Sequence, residues 1–140
     1  MDQVDFNIIH YLQEDGRMSM TELGKRVGLS IPAVKERVKR LEENGTIIGY
    51  RAVLNPNKVN KHVLAFILFD TKRCKEFREF CIQHPMVVEC HRLAGQYSYL
   101  VKVLADSVEI LEDFIDASMQ YGHPSTLINL SSPVEFKPIT

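Results

Sequence analysis

The chain has 140 residues, of which 45% are hydrophobic and 25% are charged, and its formal net charge is −1. This composition is typical of one soluble globular domain or two small ones, and it excludes a wholly disordered chain and a uniformly basic, histone-like protein. The longest apolar run, Val63 to Phe69, is too short to cross a bilayer, and the acidic, polar start Met1–Asp5 is unlike a signal peptide. We therefore expect a cytoplasmic protein with no membrane partner.

Charge is unevenly distributed along the chain. The segment 24–41 contains six basic residues and one acidic residue, whereas the segment 103–136 contains six acidic residues and no Lys or Arg. The basic segment favours a polyanionic partner, although solvated helix faces would produce the same charge blocks.

The first helix is predicted from an apolar stripe at Val4, Ile8 and Leu12. Asp2 and Asp5 can cap its start, and we expect it to stop near Gly16. Three helices are expected within the first fifty residues, and this is the first of them.

Capping residues delimit the next two helices. Ser19–Glu22 has the form of a capping box and Gly28 suits the end of the short helix that follows. Ser30 is placed to cap a third helix, Pro32 fits its first turn, and Asn44–Gly45 ends it. A short helix, a tight turn and a longer helix form the layout of a helix-turn-helix motif, whose second helix enters the DNA major groove.

The outward side chains of the third helix are the candidate DNA contacts. Lys35 and Lys39 can meet guanine acceptors or phosphates, and Ile31 can touch a thymine methyl group. The basic side chains Lys25, Arg26, Arg37 and Arg40 are better placed for phosphate contacts, which position a protein without specifying sequence. The full candidate set consists of Lys25, Ser30, Ile31, Pro32, Lys35, Arg37, Lys39 and Arg40. Three-helix domains of this kind also bind proteins, which leaves that alternative open.

Arg37 has a second interpretation. It lies between apolar neighbours and could pair inside the small domain with Glu14, Glu42 or Glu43.

A joint separates two predicted domains. Ile47–Leu54 is β-branched and aromatic and predicts a strand, on the edge of either domain or paired with a second copy of the chain. We expect a DNA-binding domain at residues 1–50, a strand and linker at 51–60, and a second domain at 61–140.

The second domain alternates strands and helices. The pattern predicts strands at 63–69, 87–93, 97–104 and 126–130, and the last strand has an alternative end at Phe136. It also predicts helices at 74–84 and 107–121 and a tight turn at Gly95–Gln96. Val108, Leu111, Phe114 or Ile115, and Met119 are expected to face inward on the second helix. This βαββαβ order is the ferredoxin-like plan, so the predicted fold class is α+β: a three-helix, winged-type helix-turn-helix domain followed by a ferredoxin-like sandwich. The sheet face that carries Phe66 and Leu68 is too apolar to stay exposed, and a homodimer would cover it.

The chain resembles a known family in both halves. In the first half the resemblance rests on residues 2–9, 16–19, 22–24, 27–30, 37–42 and 45–50; in the second half it rests on 93–100. These segments are similar to the Lrp/AsnC (feast/famine) transcriptional regulators and to their effector-binding (RAM) domain. The resemblance implies a nucleoid-associated regulator that binds double-stranded DNA. It also implies homodimers that assemble into tetramers or octamers, with a small-molecule effector, often an amino acid, bound between dimers.

The hairpin loop is the candidate effector region, through Gly95, Gln96, Tyr97 and Ser98. The family motif usually has Asp where this chain has Ser98, and a neutral hydroxyl cannot pair with an amino group as a carboxylate does. The ligand could therefore differ, or the protein could work without one. A plain hairpin turn with a core tyrosine would require the same glycine.

Catalysis and metal binding have little support in the sequence. Cys90 and His91 are adjacent on a predicted strand and point to opposite faces, and the three cysteines have no C-x-x-C spacing, as expected in a reducing cytosol. We expect no enzyme activity, no cofactor and no metal. Two other functions remain possible: an architectural protein that wraps DNA with little sequence preference, and a ligand-binding module or enzyme whose helical half docks a protein.

Overall fold

The structure, a computed structural model of residues 1–140, contains five α-helices and one four-stranded antiparallel sheet. The chain divides into a first unit, residues 1–53 with 134–140, and a second unit, residues 54–133. The predicted second domain included residues 134–140, whereas in the structure this segment packs against the first unit. None of the helices combines the length and the apolar character needed to cross a bilayer.

The first unit is built from three helices that begin where the capping residues predicted. Helix α1 spans Gln3–Glu14, α2 spans Met20–Val27 and α3 spans Ile31–Glu43. The side chains of Asp2, Ser19 and Ser30 accept hydrogen bonds from backbone N–H groups in the first turns of α1, α2 and α3, respectively. The buried apolar residues of this unit are Ile8, Ile9, Leu12, Leu23, Val34, Val38 and Leu41.

The turn between α2 and α3 depends on two glycines. Gly28 adopts φ 74°, a left-handed conformation that glycine enters without a steric penalty. The Leu29 N–H donates to the Gly24 carbonyl at 2.9 Å, which brings the chain back over the last turn of α2. A Cβ on Gly24 would lie 2.7 Å from the Leu29 carbonyl oxygen. The angle between the two helices therefore requires glycine at position 24.

Replacement of Gly24 by alanine is expected to destabilise the first unit by about 1–3 kcal/mol, the usual cost of overpacking. The reason is the close approach of the Leu29 backbone, which cannot move without disturbing the turn. Urea denaturation measures the change. Gly49→Ala is the matched control, because a Cβ at that position meets nothing within 4 Å. Equal stability of the two variants would show that the turn relaxes freely.

The segment 47–54, which was predicted to be a strand, forms none. A strand needs a neighbour to receive its backbone hydrogen bonds, and the single chain provides none at this position. The prediction of a strand is therefore wrong for the isolated chain, and so is the β wing that it implied for the helix-turn-helix domain.

The last residues of the chain lie against α1. The Ile139 N–H donates to Gln13 Oε1 at 2.8 Å, and Gln13 Nε2 donates to Thr140 Oγ1 at 3.0 Å. His10 Nδ1 lies 2.6 Å from the main-chain oxygen of Thr140. These contacts attach the segment 134–140, here called the C-terminal tail, to the first unit.

The second unit has the predicted βαββαβ order. Its elements are β1 Val63–Asp70, α4 Cys74–Gln83, β2 Val87–Arg92, β3 Tyr99–Ala105, α5 Val108–Ser118 and β4 His123–Ile128. The strand order across the antiparallel sheet is β2-β3-β1-β4, so the ferredoxin-like prediction is confirmed. Alternate residues of β1 and β3 pack against α4 and α5, and this core contains Ala65, Ile67, Phe69, Phe77, Cys81, Tyr99, Val101, Val103, Ala105, Leu111 and Phe114.

Helix α5 differs from its prediction at both ends. Leu111 and Phe114 are buried as expected, but Val108 is 55% exposed and Met119 is 56% exposed. Val108 lies in the first turn, before the helix reaches the core, and Met119 lies in a 3₁₀ turn after α5 has ended. The following strand, β4, starts at His123 and ends at Ile128, so it does not extend to Phe136.

The opposite face of the sheet carries no helix. Leu64, Phe66 and Leu68 of β1 lie there beside Leu100 and Leu104 of β3, and all five are only partly buried. This group is called the open face below.

Candidate nucleic-acid interface and hairpin loop

The outward surface of α3 is built by the spacing of its residues. Ile31, Lys35 and Lys39 follow one another at i, i+4 and i+8 and therefore form one row along the helix. Ile31 is 41% exposed, Lys35 is exposed, and the Lys39 side chain is 67% exposed. Lys39 approaches Glu43 only to 3.9 Å, which leaves its ammonium group largely solvated. This row can present one apolar and two cationic groups to a polyanion.

The start of α3 adds further groups to the same end of the row. Ser30 and Pro32 are exposed, and the Ser30 hydroxyl accepts the Ala33 N–H at 3.3 Å. Because backbone N–H groups at a helix N-terminus attract anions, this end is suited to a phosphate as well as to base edges.

The flanking basic residues differ in how they are held. Lys25 and Arg40 are exposed. Arg26 donates from Nε to Glu22 at 2.9 Å, and its guanidinium lies 5.3 Å from the centroid of the Tyr11 ring. Lys25 and Arg40 are therefore free to reach a phosphate, whereas Arg26 also packs on the domain itself.

Arg37 joins α3 to the start of α1. Its Nη1 donates to Asp2 at 2.7 Å and to Asp5 at 3.1 Å, and its side chain is 25% exposed. The pairing inside the domain was predicted as an alternative, but with Glu14, Glu42 or Glu43, and those partners are wrong. The hydrogen bond from Arg37 lowers the pKa of Asp2, and the two carboxylates raise the pKa of Arg37. This geometry assigns Arg37 to positioning α3 against α1.

The sequence did not indicate Asp2 and Asp5 as partners of Arg37, because their role as caps of α1 already accounts for them. Asp2 and Asp5 form the capping box of α1, and the sequence pattern explains them fully as caps. Only the packing of α1 on α3 brings them to a residue more than thirty positions away.

Replacement of Asp2 by asparagine is expected to lower the stability of the first unit at pH 7. Asparagine retains the helix cap, so the change removes the charge that faces Arg37 and the oxygen that accepts its hydrogen bond. Because the pKa of Asp2 is lowered on folding, its contribution exists above the unfolded value near 3.8 and is lost as the pH falls through the folded value. Thermal melts of both proteins at neutral and strongly acidic pH should therefore differ only at neutral pH. Glu36→Gln, which neutralises an exposed carboxylate of α3, is the control; a difference that persists in acid would contradict the assignment.

The predicted effector residues lie in one loop of the second unit. Gly95 and Gln96 are exposed, and Tyr97 and Ser98 are half-buried. The Leu93 N–H donates to the Ser98 carbonyl at 2.8 Å, so four residues, 94–97, lie between the paired ends instead of the predicted two-residue turn. This hairpin loop connects β2 to β3.

Ser98 is bonded to the segment that follows β1. Its hydroxyl donates to the Thr71 carbonyl at 3.2 Å and accepts the Thr71 N–H at 3.3 Å, and its own N–H donates to the Phe69 carbonyl at 2.8 Å. These bonds fix the base of the hairpin loop. The hydroxyl thus serves the fold at the position where a carboxylate was expected.

The chain contains no group of three or more His, Cys, Asp or Glu residues arranged to hold a metal ion. Cys90 pairs with Val101 on the helix-covered side of the sheet, whereas His91 pairs with Leu100 on the open face. The predicted separation of these two side chains is confirmed.

Two family models match the chain along nearly its whole length. Residues 1–42 match the AsnC-type helix-turn-helix domain, and residues 63–139 match the Lrp/AsnC ligand binding domain. The chain belongs to the Lrp/AsnC family. The three helices and the βαββαβ unit described above are the structural counterparts of these two domains.

Relatives of this Lrp/AsnC protein support the same assignment. It is 53% identical over 132 residues to the HTH-type transcriptional regulator YezC of Bacillus subtilis (strain 168), covering 94% of this chain and 95% of that one. The solved structure of B. subtilis LrpC has a TM-score of 0.91 at 34% identity, covering 97% and 99% of the two chains. A Neisseria meningitidis transcriptional regulator, solved as a complex with L-methionine, has a TM-score of 0.92 at 28% identity, covering 100% and 96%. The chain is a helix-turn-helix transcriptional regulator of the Lrp/AsnC type.

Proposed function

We propose that this Lrp/AsnC regulator reads specific operator sequences by inserting α3 into the major groove of double-stranded DNA. The observation that carries the proposal is the exposed row Ile31, Lys35 and Lys39 on a helix that follows a helix-turn-helix turn. Lysine ammonium groups can donate to guanine O6 and N7, and an isoleucine side chain can contact a thymine methyl group.

The residues around this row would position the helix. Ser30 and Pro32 lie at the end of α3 that enters the groove first, and Lys25 and Arg40 would contact phosphates. Arg37 would act indirectly, because its bonds to Asp2 and Asp5 hold α3 against α1.

A homodimer would deliver two such helices to one operator. The open face supports this, because five large apolar side chains on a sheet are costly to leave in contact with water. Two copies related by a two-fold axis would place their α3 helices on half-sites about one helical turn apart. Association of dimers into a tetramer or octamer would follow the family pattern.

The effector would be an amino acid or a similarly small molecule that contacts the hairpin loop through Gly95, Gln96, Tyr97 and Ser98. The L-methionine complex of the neisserial relative supports this ligand class. Because Ser98 carries no charge, the amino group of such a ligand would need another acceptor, supplied by the loop backbone or by a second dimer.

Binding to two DNA fragments of equal length tests the proposal. One fragment comes from upstream of the protein's own gene and the other from a coding region, and both are titrated at the same salt concentration. Sequence reading predicts a preference of about a hundredfold or more for one fragment. Equal binding with a steep salt dependence would replace the proposal by DNA wrapping without sequence choice. Absence of binding to either fragment would refute DNA recognition by α3.

Thermal melts with L-methionine or L-leucine test the effector separately. A ligand that binds only the folded state raises the melting temperature in proportion to the logarithm of its excess over Kd. D-methionine is the matched control. If neither amino acid changes the melting temperature of a protein that prefers one DNA fragment, the effector proposal fails and the DNA-reading proposal stands. A thermal shift in a protein that binds both fragments equally would mean the opposite.

A further inference from the structure

A small cavity of the second unit brings together chemistry that DNA reading does not use. It lies between α4 and the β2–β3 edge of the sheet and encloses about 250 Å³. Its lining consists of Arg78, Cys81, Ile82, Cys90, Arg92 and Tyr99. Two cysteines, two arginines and a tyrosine therefore line one volume.

The two thiols approach one another from different elements. Cys81 is buried on the inner face of α4, and Cys90 is exposed on β2. Cys90 pairs with the buried residue Val101, so its side chain lies on the side of the sheet that α4 covers. Both cysteines line the same cavity. The Cys81 thiol beside it lowers the pKa of Cys90 to about 7, whereas the Cys90 thiol and burial raise the pKa of Cys81. Cys90 is thus the thiol that ionises first and the one that solvent reaches.

The phenol of Tyr99 gives the cavity an unused donor. Tyr99 is 1% exposed, and its hydroxyl has no hydrogen-bond partner. A buried hydroxyl without a partner is costly, and a small polar molecule in the cavity would supply one. Burial and the neighbouring Cys74 thiol raise the pKa of Tyr99, so the group keeps its proton and can donate.

We infer that Cys90 and Cys81 form a peroxide-sensitive dithiol site, in which Cys90 attacks the oxidant and Cys81 completes an intramolecular disulfide. Arg78 and Arg92 line the same cavity, and positively charged surroundings favour a reactive cysteine. Tyr99, which also lines the cavity and has an unpartnered hydroxyl, is the candidate donor to a peroxide oxygen. This role is independent of the DNA-binding surface and of the hairpin loop.

The reaction uses one molecule of hydrogen peroxide. The Cys90 thiolate attacks one peroxide oxygen, the O–O bond breaks, and the departing hydroxide takes a proton to become water, which leaves a sulfenic acid on Cys90. The Cys81 sulfur then attacks the sulfenic sulfur, the S–O bond breaks, and a second water leaves with the Cys81 proton. The two thiols are oxidised by two electrons, and peroxide is reduced to two waters.

The product would link α4 directly to β2. These elements are adjacent in the chain, so the disulfide closes only residues 81–90. A short loop of this kind adds little to stability by constraining the unfolded chain, and the bond would be reversible by an ordinary dithiol reductant.

The test uses the reduced full-length protein and hydrogen peroxide in equimolar amount. Titration of thiols in denaturant should fall from three to one, and dithiothreitol should restore all three. Peptide mapping should find a Cys81–Cys90 link, in a chain that runs as a monomer on a non-reducing denaturing gel. Cys74→Ser removes the third thiol, so its thiol titration should fall from two to none, and peptide mapping should find the same Cys81–Cys90 link.

Two further variants separate the roles of the thiols. Cys81→Ser should stop the reaction at a Cys90 sulfenic acid that dimedone traps, and Cys90→Ser should abolish the rapid reaction. Retention of three thiols by the wild type, a link that involves Cys74, or a disulfide formed only between chains would each overturn the inference. So would an unchanged rate in Cys90→Ser.

Discussion

Replacement of Phe77 by alanine is expected to lower the free energy of unfolding of the second unit by about 3–5 kcal/mol. Phe77 is 0% exposed, and its ring stacks on that of Phe69 with centroids 4.1 Å apart. The centroid of the Tyr99 ring lies 5.1 Å from that of Phe77. Truncation would remove these contacts and leave a cavity that helix α4 cannot fill without leaving the sheet. Urea denaturation followed by circular dichroism measures the change, which shifts the midpoint of the second unit's transition.

Ile82→Ala is the matched control for this prediction. Ile82 lies on the same helix, but its side chain is 77% exposed, so truncation should cost less than about 0.5 kcal/mol. If the two variants had similar midpoints, the aromatic cluster under α4 would not be the stabilising core of this unit.

Replacement of both Lys35 and Lys39 by alanine is expected to weaken operator binding by roughly 10- to 100-fold, as for the loss of one or two groove contacts. Both ammonium groups lie on the outward row of α3 and take no part in the core of the first unit. Folding should therefore be unchanged, and the loss should appear in a fluorescence anisotropy titration. If the lysines contact phosphates, the salt dependence of binding becomes shallower; if they contact bases, the preference between operator and coding DNA decreases.

The control removes the same charge from elsewhere. Lys58 and Lys75 are exposed residues of the second unit, and their joint replacement by alanine changes the net charge of the protein equally. An equal loss of affinity in this variant would mean that the overall field, and not α3, drives binding.

The local elements of this protein could be predicted because their signals are local. Ser19 and Ser30 mark the helix starts, Gly28 marks a left-handed turn, and the apolar run 63–69 marks the strand at the centre of the sheet. Each of these features depends on backbone conformation or burial within a few residues. The order of strands and helices then allowed few arrangements, and the βαββαβ plan followed.

The features that were missed or predicted incorrectly depend on distant parts of the chain. The partners of Arg37 are Asp2 and Asp5, which local patterns explain as caps, and nothing near Arg37 in the sequence points to them. Segment 47–54 has the composition of a strand but lacks a neighbour within the chain. The two bonds between the Ser98 hydroxyl and Thr71 require knowledge of which loops meet at the end of the sheet. Ion pairs, strand pairing and loop contacts across the fold are therefore the part that sequence periodicity does not encode.

The C-terminal tail has a consequence for how the protein can be dissected. Because residues 134–140 pack on α1, the helical unit is discontinuous in the chain, and a gene fragment that stops at residue 50 or 53 omits part of its own surface. Such a fragment would expose the side of α1 around Gln13 and would be a poor substitute for the intact unit in binding assays. Conversely, clipping the last seven residues would alter the half of the protein that contacts DNA, although those residues follow the sheet in sequence.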